Sequence, residues 1–522
     1  MNKLYKIDDA INLIKDGDFV AASGFMLATC AEELFFKLEE KFLREGTPRN
    51  LTFMQAAGLG NTRDQGTYHI SHEGLIKRYI TGHFASNQRM IDLVNQNKVE
   101  AYNFPQGVIC HLYRAAAAGK SGELTRIGLK TYVDPRLEGG KMNSITTEDL
   151  VQAVNVAGEE LLFYKSPKID VAIIRGTTSD EYGNITMEDE SACIDALDVA
   201  LAAKNNGGKV IVQVKNYVKS SSVDRTKVVI PGNLVDAVVI TSDAERFHRQ
   251  TPGEFYSPVL AGYYKLDNVG FGNIELNERK IIARRAAMEL KPRSVVNLGI
   301  GIPEGIASIA AEEGIGEELT LTIESGLIGG VPTGGPNFGS AINAWAALPM
   351  TSQFDLYNGG GLNMTFLGFA EVNSKGDINV SKFGTKIAGC GGFIDISQST
   401  KKIVFCGTFT AGKFEMTVEK GQVKIIKEGV RKKFIDSIEQ ITFSSEFVSK
   451  YDQDVMFITE RCVFRLTDEG LVLIEVAPGI DVEKDIISHM EYRPIISKDL
   501  KLMDEKIFKE EKIGLESIVM SK

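Results

Sequence analysis

A carboxylate stands between an apolar run and a glycine-rich segment in the second half of the chain. Glu324 directly follows residues 319–323, LTLTI, a pattern typical of a buried strand. Open α/β sheets bind their ligands beyond the carboxyl ends of their strands. An ionised carboxylate at such a place can attack an activated acyl group if oxyanion donors lie nearby. The pattern predicts an acyl-transfer nucleophile at Glu324.

Glycines accompany this acid in the sequence and could supply the donors. A glycine lets the backbone approach a ligand closely and present its N–H without hindrance from a Cβ atom. Most glycine-rich segments are plain surface loops, but several clusters in one half of the chain, one of them headed by a strand-end acid, favour a binding site. The predicted substrate-binding glycines are Gly299, Gly301, Gly326, Gly389, Gly391 and Gly392.

A dinucleotide-binding unit is the competing interpretation of the same residues. In such a unit a strand, a glycine turn and a helix are followed about 20 residues later by an acid that binds the ribose, here Glu324. The G-x-G-x-x-G pattern that begins at Gly299 has Glu304 where the third glycine is required. A carboxylate in that position would face the pyrophosphate, so the oxidoreductase alternative is the weaker one.

Apolar runs rich in β-branched residues alternate with helical patterns, which predicts an α/β fold. Strand–turn–strand punctuation at Gly183 recurs at Gly376, and the runs that open at Lys209 and Lys402 follow at the same distance, 193 residues apart in both cases. This agreement indicates an internal duplication. We expect two tandem homologous α/β domains, over residues 1–275 and 276–522, with the active site between them.

Composition narrows the class of protein further. The 522 residues carry 59 Lys and Arg against 69 Asp and Glu, a net charge of −10, which argues against a nucleic-acid partner. No two of the six cysteines form a C-x-x-C pair, so a zinc ribbon or a disulfide scaffold is not expected and a reducing cytoplasm fits best. No apolar run approaches the ~20 residues that span a membrane, so no membrane contact is expected.

Three further segments receive no catalytic role. His69 and His72 lack the partners of a metal motif and are interpreted as solvated or structural, so no metal site is predicted. The acidic run 188–190 lacks the spacing of a calcium loop and is interpreted as a solvated face. The tail from Ser488 is expected to pack as a surface helix.

Several motifs, in order over nearly the whole chain, resemble the family I CoA-transferases. The resemblance is closest to members that exchange CoA among short-chain acids such as propionate and acetate. The motifs that carry it include DGDFVAASGF, NFPQGVICHL, NLGIGIPEGIA, ESGLIGGVP, AGCGGFIDI and FCGTFTAG.

The resemblance implies a role for each motif. It makes Glu324, in the E-x-G motif, the nucleophile that becomes a glutamyl-CoA thioester, and Gln106, in the P-Q-G segment, an oxyanion donor. A glycine of the 389–392 turn would add a backbone N–H, although the motif does not say which. Ser325 stands where some relatives have asparagine, a polar exchange beside an unchanged nucleophile.

The activity implied is ping-pong transfer of CoA between a short-chain acyl-CoA and a free carboxylic acid, with the CoA thioester as substrate and no cofactor. Gln106 would come from the first domain and Glu324 from the second. A homotetramer is expected, as in the family. An acyl-CoA hydrolase on the same scaffold, in which water attacks the intermediate, is the alternative.

Overall fold

The computed structural model describes residues 3–267, 269 and 274–521. The chain forms two compact units, each made of three segments that alternate along the sequence. The first contains Met1–Leu266, Ile323–Asp355 and Lys382–Asp395, and the second contains Asp267–Thr322, Leu356–Ser381 and Ile396–Lys522. The glycine-containing segment 257–273, in which a connection between the two domains is expected, lies partly outside the described residues. The predicted domain boundary at 275/276 stays a prediction.

Helices occur in both halves of the sequence, and each long one buries an apolar face. They are α1 (Ile7–Ile11), α2 (Glu32–Glu45), α3 (Gln88–Asn95), α4 (Gln106–Ala117), α5 (Ala196–Asn205), α6 (Ala244–Phe247), α7 (Glu278–Ala287), α8 (Gly305–Glu312), α9 (Met350–Asn358), α10 (Phe393–Ser399), α11 (Ser445–Tyr451) and α12 (Leu515–Met520).

The first unit is built on a seven-stranded parallel sheet. Its strands are β1 (Phe19–Ala22), β2 (Leu51–Gln55), β3 (Ile76–Thr81), β4 (Glu100–Asn103), β5 (Val171–Arg175), β6 (Lys209–Val214) and β7 (Ala237–Ile240). Their spatial order is β7-β6-β5-β1-β2-β3-β4. Every residue of β5 is buried, as expected for a parallel strand covered on both faces.

Shorter strands of this unit pair with one another in small sheets and hairpins. They are Gly122–Thr125, Val151–Val156, Glu159–Lys165, Thr178–Asp180, Ile185–Thr186, Asn216–Val218, Val228–Ile230, Leu327–Ile328, Val331–Pro332, Ala341–Ile342, Ala346–Ala347, Lys382–Phe383 and Lys386–Ile387.

The second unit contains a mixed sheet. Its strands are β8 (Ser294–Leu298), β9 (Leu319–Thr322), β10 (Met364–Gly368), β11 (Lys402–Cys406), β12 (Asp454–Ile458), β13 (Cys462–Thr467), β14 (Gly470–Val476) and β15 (Ile495–Leu502). They lie in the order β9-β8-β10-β11-β12-β13-β14-β15, with β13 antiparallel to both of its neighbours. The short strands here are Glu371–Val372, Ile378–Asn379, Thr410–Ala411, Glu415–Glu419, Gln422–Lys427 and Arg431–Lys432.

The two sheets repeat one arrangement, which confirms the predicted pair of homologous α/β domains. In the first sheet β5 lies between β1 and β6, and Val171 pairs with Lys209. In the second sheet β10 lies between β8 and β11, and Met364 pairs with Lys402. The two pairs have the same sequence offset as the glycine turns. A parallel pairing in unchanged register is what a duplicated strand–helix–strand segment would keep.

Two expectations about surface segments are wrong. Residues 495–502 of the C-terminal tail form β15, which pairs with β14 in parallel, although the tail does end in helix α12. Glu190 of the acidic run is buried rather than solvated, because the Arg175 guanidinium donates to its carboxylate, with Nε 3.0 Å from Oε1. This ion pair keeps the pKa of Glu190 far below its usual range.

Within residues 3–267, 269 and 274–521, no helix has the length and apolar character to cross a membrane.

Candidate active site

The loops that follow β1 to β4 lie next to one another at the carboxyl edge of the first sheet, because these strands are neighbours and parallel. The loop after β1 contacts the loop after β2 where Met26 N donates to Gly58 O at 2.8 Å. The loop after β3 continues from Gly82, and β4 leads through Pro105 into α4. This is the edge at which open α/β sheets bind ligands.

Gln106 is the first residue of α4 and is almost fully buried. Its backbone N–H donates to Gly391 O at 2.9 Å, and Gly107 N donates to Asp395 Oδ2 at 3.1 Å. These bonds satisfy N–H groups that a helix start leaves without intrahelical partners. The structure therefore places the predicted glutamine against the predicted glycine turn.

The 389–392 turn is held by the loop after β3 and by the end of β4. Gly391 N donates to Gly82 O at 2.7 Å, and Cys390 N donates to Asn103 Oδ1 at 2.9 Å. Gly389 has φ +81°, and a Cβ atom there would lie 2.7 Å from Gly82 O. Only glycine fits this position, for reasons of both conformation and space.

Two amides of this turn are available to a ligand. Gly389 and Gly392 are buried, and in the described part of the chain neither backbone N–H donates a hydrogen bond. A buried N–H without an acceptor costs free energy unless a ligand or water supplies one. Cys390 N and Gly391 N, in contrast, are engaged within the protein.

Asn103 organises the turn and was missed by the sequence reasoning. Its Nδ2 donates to Thr81 O at 2.7 Å and to Gly82 O at 2.8 Å, while its Oδ1 accepts from Cys390 N and from the Tyr132 hydroxyl. The amide uses its full donor and acceptor capacity and is fully buried. The only sequence signal was a polar residue at the end of a buried strand, three positions before Gln106.

Glu324 lies at the tip of a tight turn and is partly exposed. Gly326 N donates to Ile323 O at 3.0 Å, and Ile323 N donates to Leu327 O at 3.0 Å. Gly326 has φ +110° and faces Leu348 O so closely that a Cβ atom would not fit. The carboxylate is thus presented on a short rigid connection, and Gly326 is required for its backbone.

Two sets of contacts connect this turn to the carboxyl edge of the first sheet. The Ser325 hydroxyl donates to Gly339 O at 2.7 Å, and Gly339 packs on the Phe25 ring of the loop after β1. On the other side, Leu348 N donates to Gly326 O at 2.8 Å.

Two residues beyond Leu348, Met350 Sδ lies 3.1 Å from Gln106 Nε2. The turn that carries Glu324, the side chain of Gln106 and the 389–392 turn therefore belong to one connected assembly within the first unit.

The thiol nearest to this assembly is not a competing nucleophile. Cys390 is buried in the glycine turn, and burial raises the pKa of its thiol to about 12. A thiol rather than a thiolate is therefore present at neutral pH, and thiols are weak nucleophiles. Glu324 is the group in this assembly whose chemistry suits attack on an acyl carbon.

Gly299 and Gly301 belong to the second unit, where they follow β8 at its carboxyl end. Gly299 N donates to Phe366 O at 2.7 Å, and Gly301 has φ +91°. Their predicted part in substrate binding stays a prediction.

His69 and His72 are structural residues, which was one of the two interpretations given to them from the sequence. His69 Nε2 lies 2.9 Å from Glu32 Oε1, and His72 Nε2 lies 2.6 Å from Glu39 Oε1. These carboxylates raise the pKa of His69 to about 9. No group of metal-binding side chains occurs among the residues described.

A carboxylate, an amide side chain and backbone N–H groups within one assembly are the kinds of group that acyl transfer uses. The sequence profile described as Coenzyme A transferase matches residues 5–241. Caffeate CoA-transferase of Acetobacterium woodii is 46% identical over 99% of this chain and 100% of its own length. Acetate CoA-transferase YdiF of Escherichia coli K12 is 44% identical over 97% of this chain and 95% of its own.

A solved structure is similar over the same extent. The crystal structure described as acyl-CoA transferase YdiF from E. coli O157:H7, in a thioester complex with CoA, has a TM-score of 0.92 and 42% identity, covering 98% of this chain and 97% of that one. The chain belongs to the coenzyme A transferase family. It is therefore an enzyme of CoA transfer, as the sequence motifs predicted, and not a dinucleotide-dependent oxidoreductase.

Proposed function

We propose that this enzyme moves CoA between a short-chain acyl-CoA (acetyl-, propionyl- or butyryl-CoA) and a free short-chain acid (acetate, propionate or lactate), through a thioester on Glu324. The observation that carries the proposal is the connected assembly of the Glu324 turn, Gln106 and the 389–392 turn. A related structure described as a thioester complex with CoA supports the covalent step.

The first half-reaction needs no proton and no ATP. A carboxylate oxygen of Glu324 attacks the thioester carbonyl, a C–O bond forms, and the C–S bond breaks to release CoA thiolate. The thiolate then attacks the glutamyl carbon of the resulting anhydride. A C–S bond forms there, the anhydride C–O bond breaks, and the original acid leaves as a carboxylate.

The second half-reaction reverses these steps with a different acid. The incoming carboxylate attacks the glutamyl thioester, thiolate leaves, and thiolate then attacks the new acyl carbon to regenerate Glu324. Each step passes through a tetrahedral oxyanion. Gln106 Nε2 and the unpartnered N–H of Gly389 or Gly392 are the donors we assign to it, since preorganised donors stabilise such charge most effectively.

The test is covalent capture on the full-length protein. Acyl-CoA without an acceptor acid should add the mass of one CoA less one water to the chain, at a peptide containing Glu324. Hydroxylamine should remove the adduct. An unmodified protein that nevertheless turns over would contradict the covalent mechanism.

Acceptor dependence separates transfer from hydrolysis. A transferase releases no net free CoA when a carboxylic acid is the only acceptor, whereas a hydrolase releases CoA from acyl-CoA in buffer alone. Comparing free thiol with and without propionate decides between them.

Three expectations accompany this proposal. The enzyme needs no cofactor beyond the CoA thioester substrate, assembles as a homotetramer and works in the cytoplasm. Light scattering of the purified protein tests the tetramer, and activity after exhaustive dialysis against chelator tests the first expectation.

A further inference from the structure

His83 occupies the loop after β3, directly beside the glycine turn of the proposed oxyanion site. The preceding residue, Gly82, accepts from Gly391 N at 2.7 Å, and the following residue, Phe84, donates from its N–H to Ala388 O at 2.8 Å. The backbone of His83 is therefore fixed on both sides by the 388–391 segment.

The side chains of His83 and Ser86 converge on Gly58 of the loop after β2. His83 Nδ1 lies 2.9 Å, and Ser86 Oγ 2.6 Å, from the point that a Cβ atom on Gly58 would occupy. Ser86 is buried, and its hydroxyl has no hydrogen-bond partner among the described residues. Within the same part of the chain, neither ring nitrogen of His83 forms a hydrogen bond.

The His83 ring and the Ser86 hydroxyl are thus two neutral hydrogen-bond donors beside Gly58 that have no acceptor among the residues described. Loss of hydration lowers the pKa of His83 to about 4, so its ring is neutral at pH 7 and carries one N–H. Donors that fold into a site without acceptors cost free energy, which an acceptor on a ligand would recover.

The position of His83 and Ser86 relative to the strands indicates which ligand could supply the acceptor. The loops after β2 and β3, which carry Gly58 and His83, lie between the β1 loop and α4 because the four strands are neighbours. Phe25 in the β1 loop packs on Gly339, which accepts from the residue after Glu324, and Gln106 on α4 contacts Met350.

We propose that His83 and Ser86 form a subsite for the carboxylate of the free acid substrate, their N–H and O–H donating to its oxygens before it attacks the glutamyl thioester. This inference rests on the proposed function. A carboxylate offers two acceptor oxygens, which suits two converging donors.

Steady-state kinetics on full-length variants test the subsite. His83→Ala and Ser86→Ala should each raise the KM for propionate by about 10- to 100-fold, the range for losing a hydrogen bond to a charged group. The KM for acyl-CoA should change far less. His83→Gln, whose amide N–H can still donate, should recover part of the loss, which a purely structural role would not predict.

His72→Gln is the matched control, because His72 lies in the same unit but contacts Glu39. It should leave the KM for propionate unchanged. A KM for propionate that stays unchanged in His83→Ala would overturn the inference, and the CoA adduct on Glu324 should still form in that variant. An adduct missing from the natural chain would instead defeat the proposed function.

A binding measurement guards against variants that fold poorly. Propionate is titrated into full-length Glu324→Gln protein labelled with ¹⁵N-histidine, and the His83 signal is assigned by its loss in His83→Gln. We expect that signal to shift in a saturable manner while the His72 signal stays in place. No shift of the His83 signal at saturating propionate would refute the subsite.

Discussion

The two sheets of this protein share strand order and register but differ in the polar groups at their carboxyl edges. Around β1 to β4, the amides of Gly389 and Gly392 and the side chains of His83 and Ser86 have no partners within the described residues. Around β10 to β12 in the second sheet, polar groups engage one another: Arg461 Nε donates to Glu460 Oε1 at 2.6 Å, and both are fully buried.

A buried lysine, Lys433, also lies at the edge around β10 to β12, where it is enclosed by internal contacts. Its Nζ lies 3.7 Å from the centre of the Phe369 ring, which follows β10, and only 6% of the residue is exposed. Burial lowers the pKa of Lys433 to about 7. The molecule thus has an edge around β1 to β4 with donors available for a ligand and a closed edge around β10 to β12 with internal contacts. Function resides in the loops that each copy acquired.

The contrast between the two edges depends most strongly on Glu324, whose replacement is expected to have the largest effect on activity. Glu324→Gln should lower kcat by about 10⁴- to 10⁶-fold, because it removes the proposed nucleophile. Coupled assay of acyl-CoA formation measures it. Glu317→Gln, an exposed acid in the second unit, should retain full activity. Residual turnover above one percent in Glu324→Gln would assign the chemistry elsewhere.

Loss of the side-chain donor should have the next largest effect. Gln106→Ala should reduce kcat by about 10²- to 10³-fold, the usual result of deleting one oxyanion donor. Gln88 also begins a helix, α3, but is exposed, so Gln88→Ala is the matched control. Equal kcat values for the two variants, measured with the same acyl-CoA, would remove Gln106 from the oxyanion site.

A glycine comparison tests the backbone of the turn. Gly389→Ala should lower kcat about 10-fold or more, because the new Cβ atom must displace Gly82 O or Asn103 Nδ2. Gly421 has a similar φ of +76° but open space around it, so Gly421→Ala should cost only about 1 kcal/mol of stability. Kinetics and urea unfolding of both variants separate the steric effect from the conformational one.

The smallest effect on activity is expected at the closed edge. Lys433→Met should keep kcat within about three-fold of the natural chain and increase its stability at pH 6 by about 1–3 kcal/mol, because the cost of burying a charge is removed.

The gain should shrink as the pH rises. The folded pKa of Lys433, about 7, is below its ordinary 10.5, so the unfolded chain binds more protons between these values. Stability of the natural chain therefore increases with pH over that window, and the full cost is present below pH 7. Urea unfolding at pH 6 and pH 9 measures this, with exposed Lys432→Met as control. A gain independent of pH would show that Lys433 stays charged.

Much of the fold could be predicted because the hydrophobic pattern of a strand is a property of neighbouring residues in the sequence. The run 209–214 is β6 residue for residue, and 319–322 forms β9 one residue short of the predicted strand. The tail was misjudged because β15 is mostly polar on its exposed face, which hides the strand pattern. Glu190 was misjudged because its partner, Arg175, lies on a different element.

The residues of the proposed site could be named from the sequence, but the contacts that join them could not. Glu324, Gln106 and the glycine turn followed from motifs and a family resemblance. Asn103 and Asp395 were not found, because each contacts its partner across more than 280 residues of sequence. No spacing rule reaches that far.

By itself, the sequence determined the α/β layers and the duplication and named the candidate acid, since hydrophobic period, turn residues and motif chemistry are local properties. The tertiary structure alone decided which amides remain unpartnered, that the Glu324 turn belongs to the same unit as Gln106, and that His83 and Ser86 converge on Gly58. The physical reason is that hydrogen-bond satisfaction and desolvation depend on neighbours that distant segments provide.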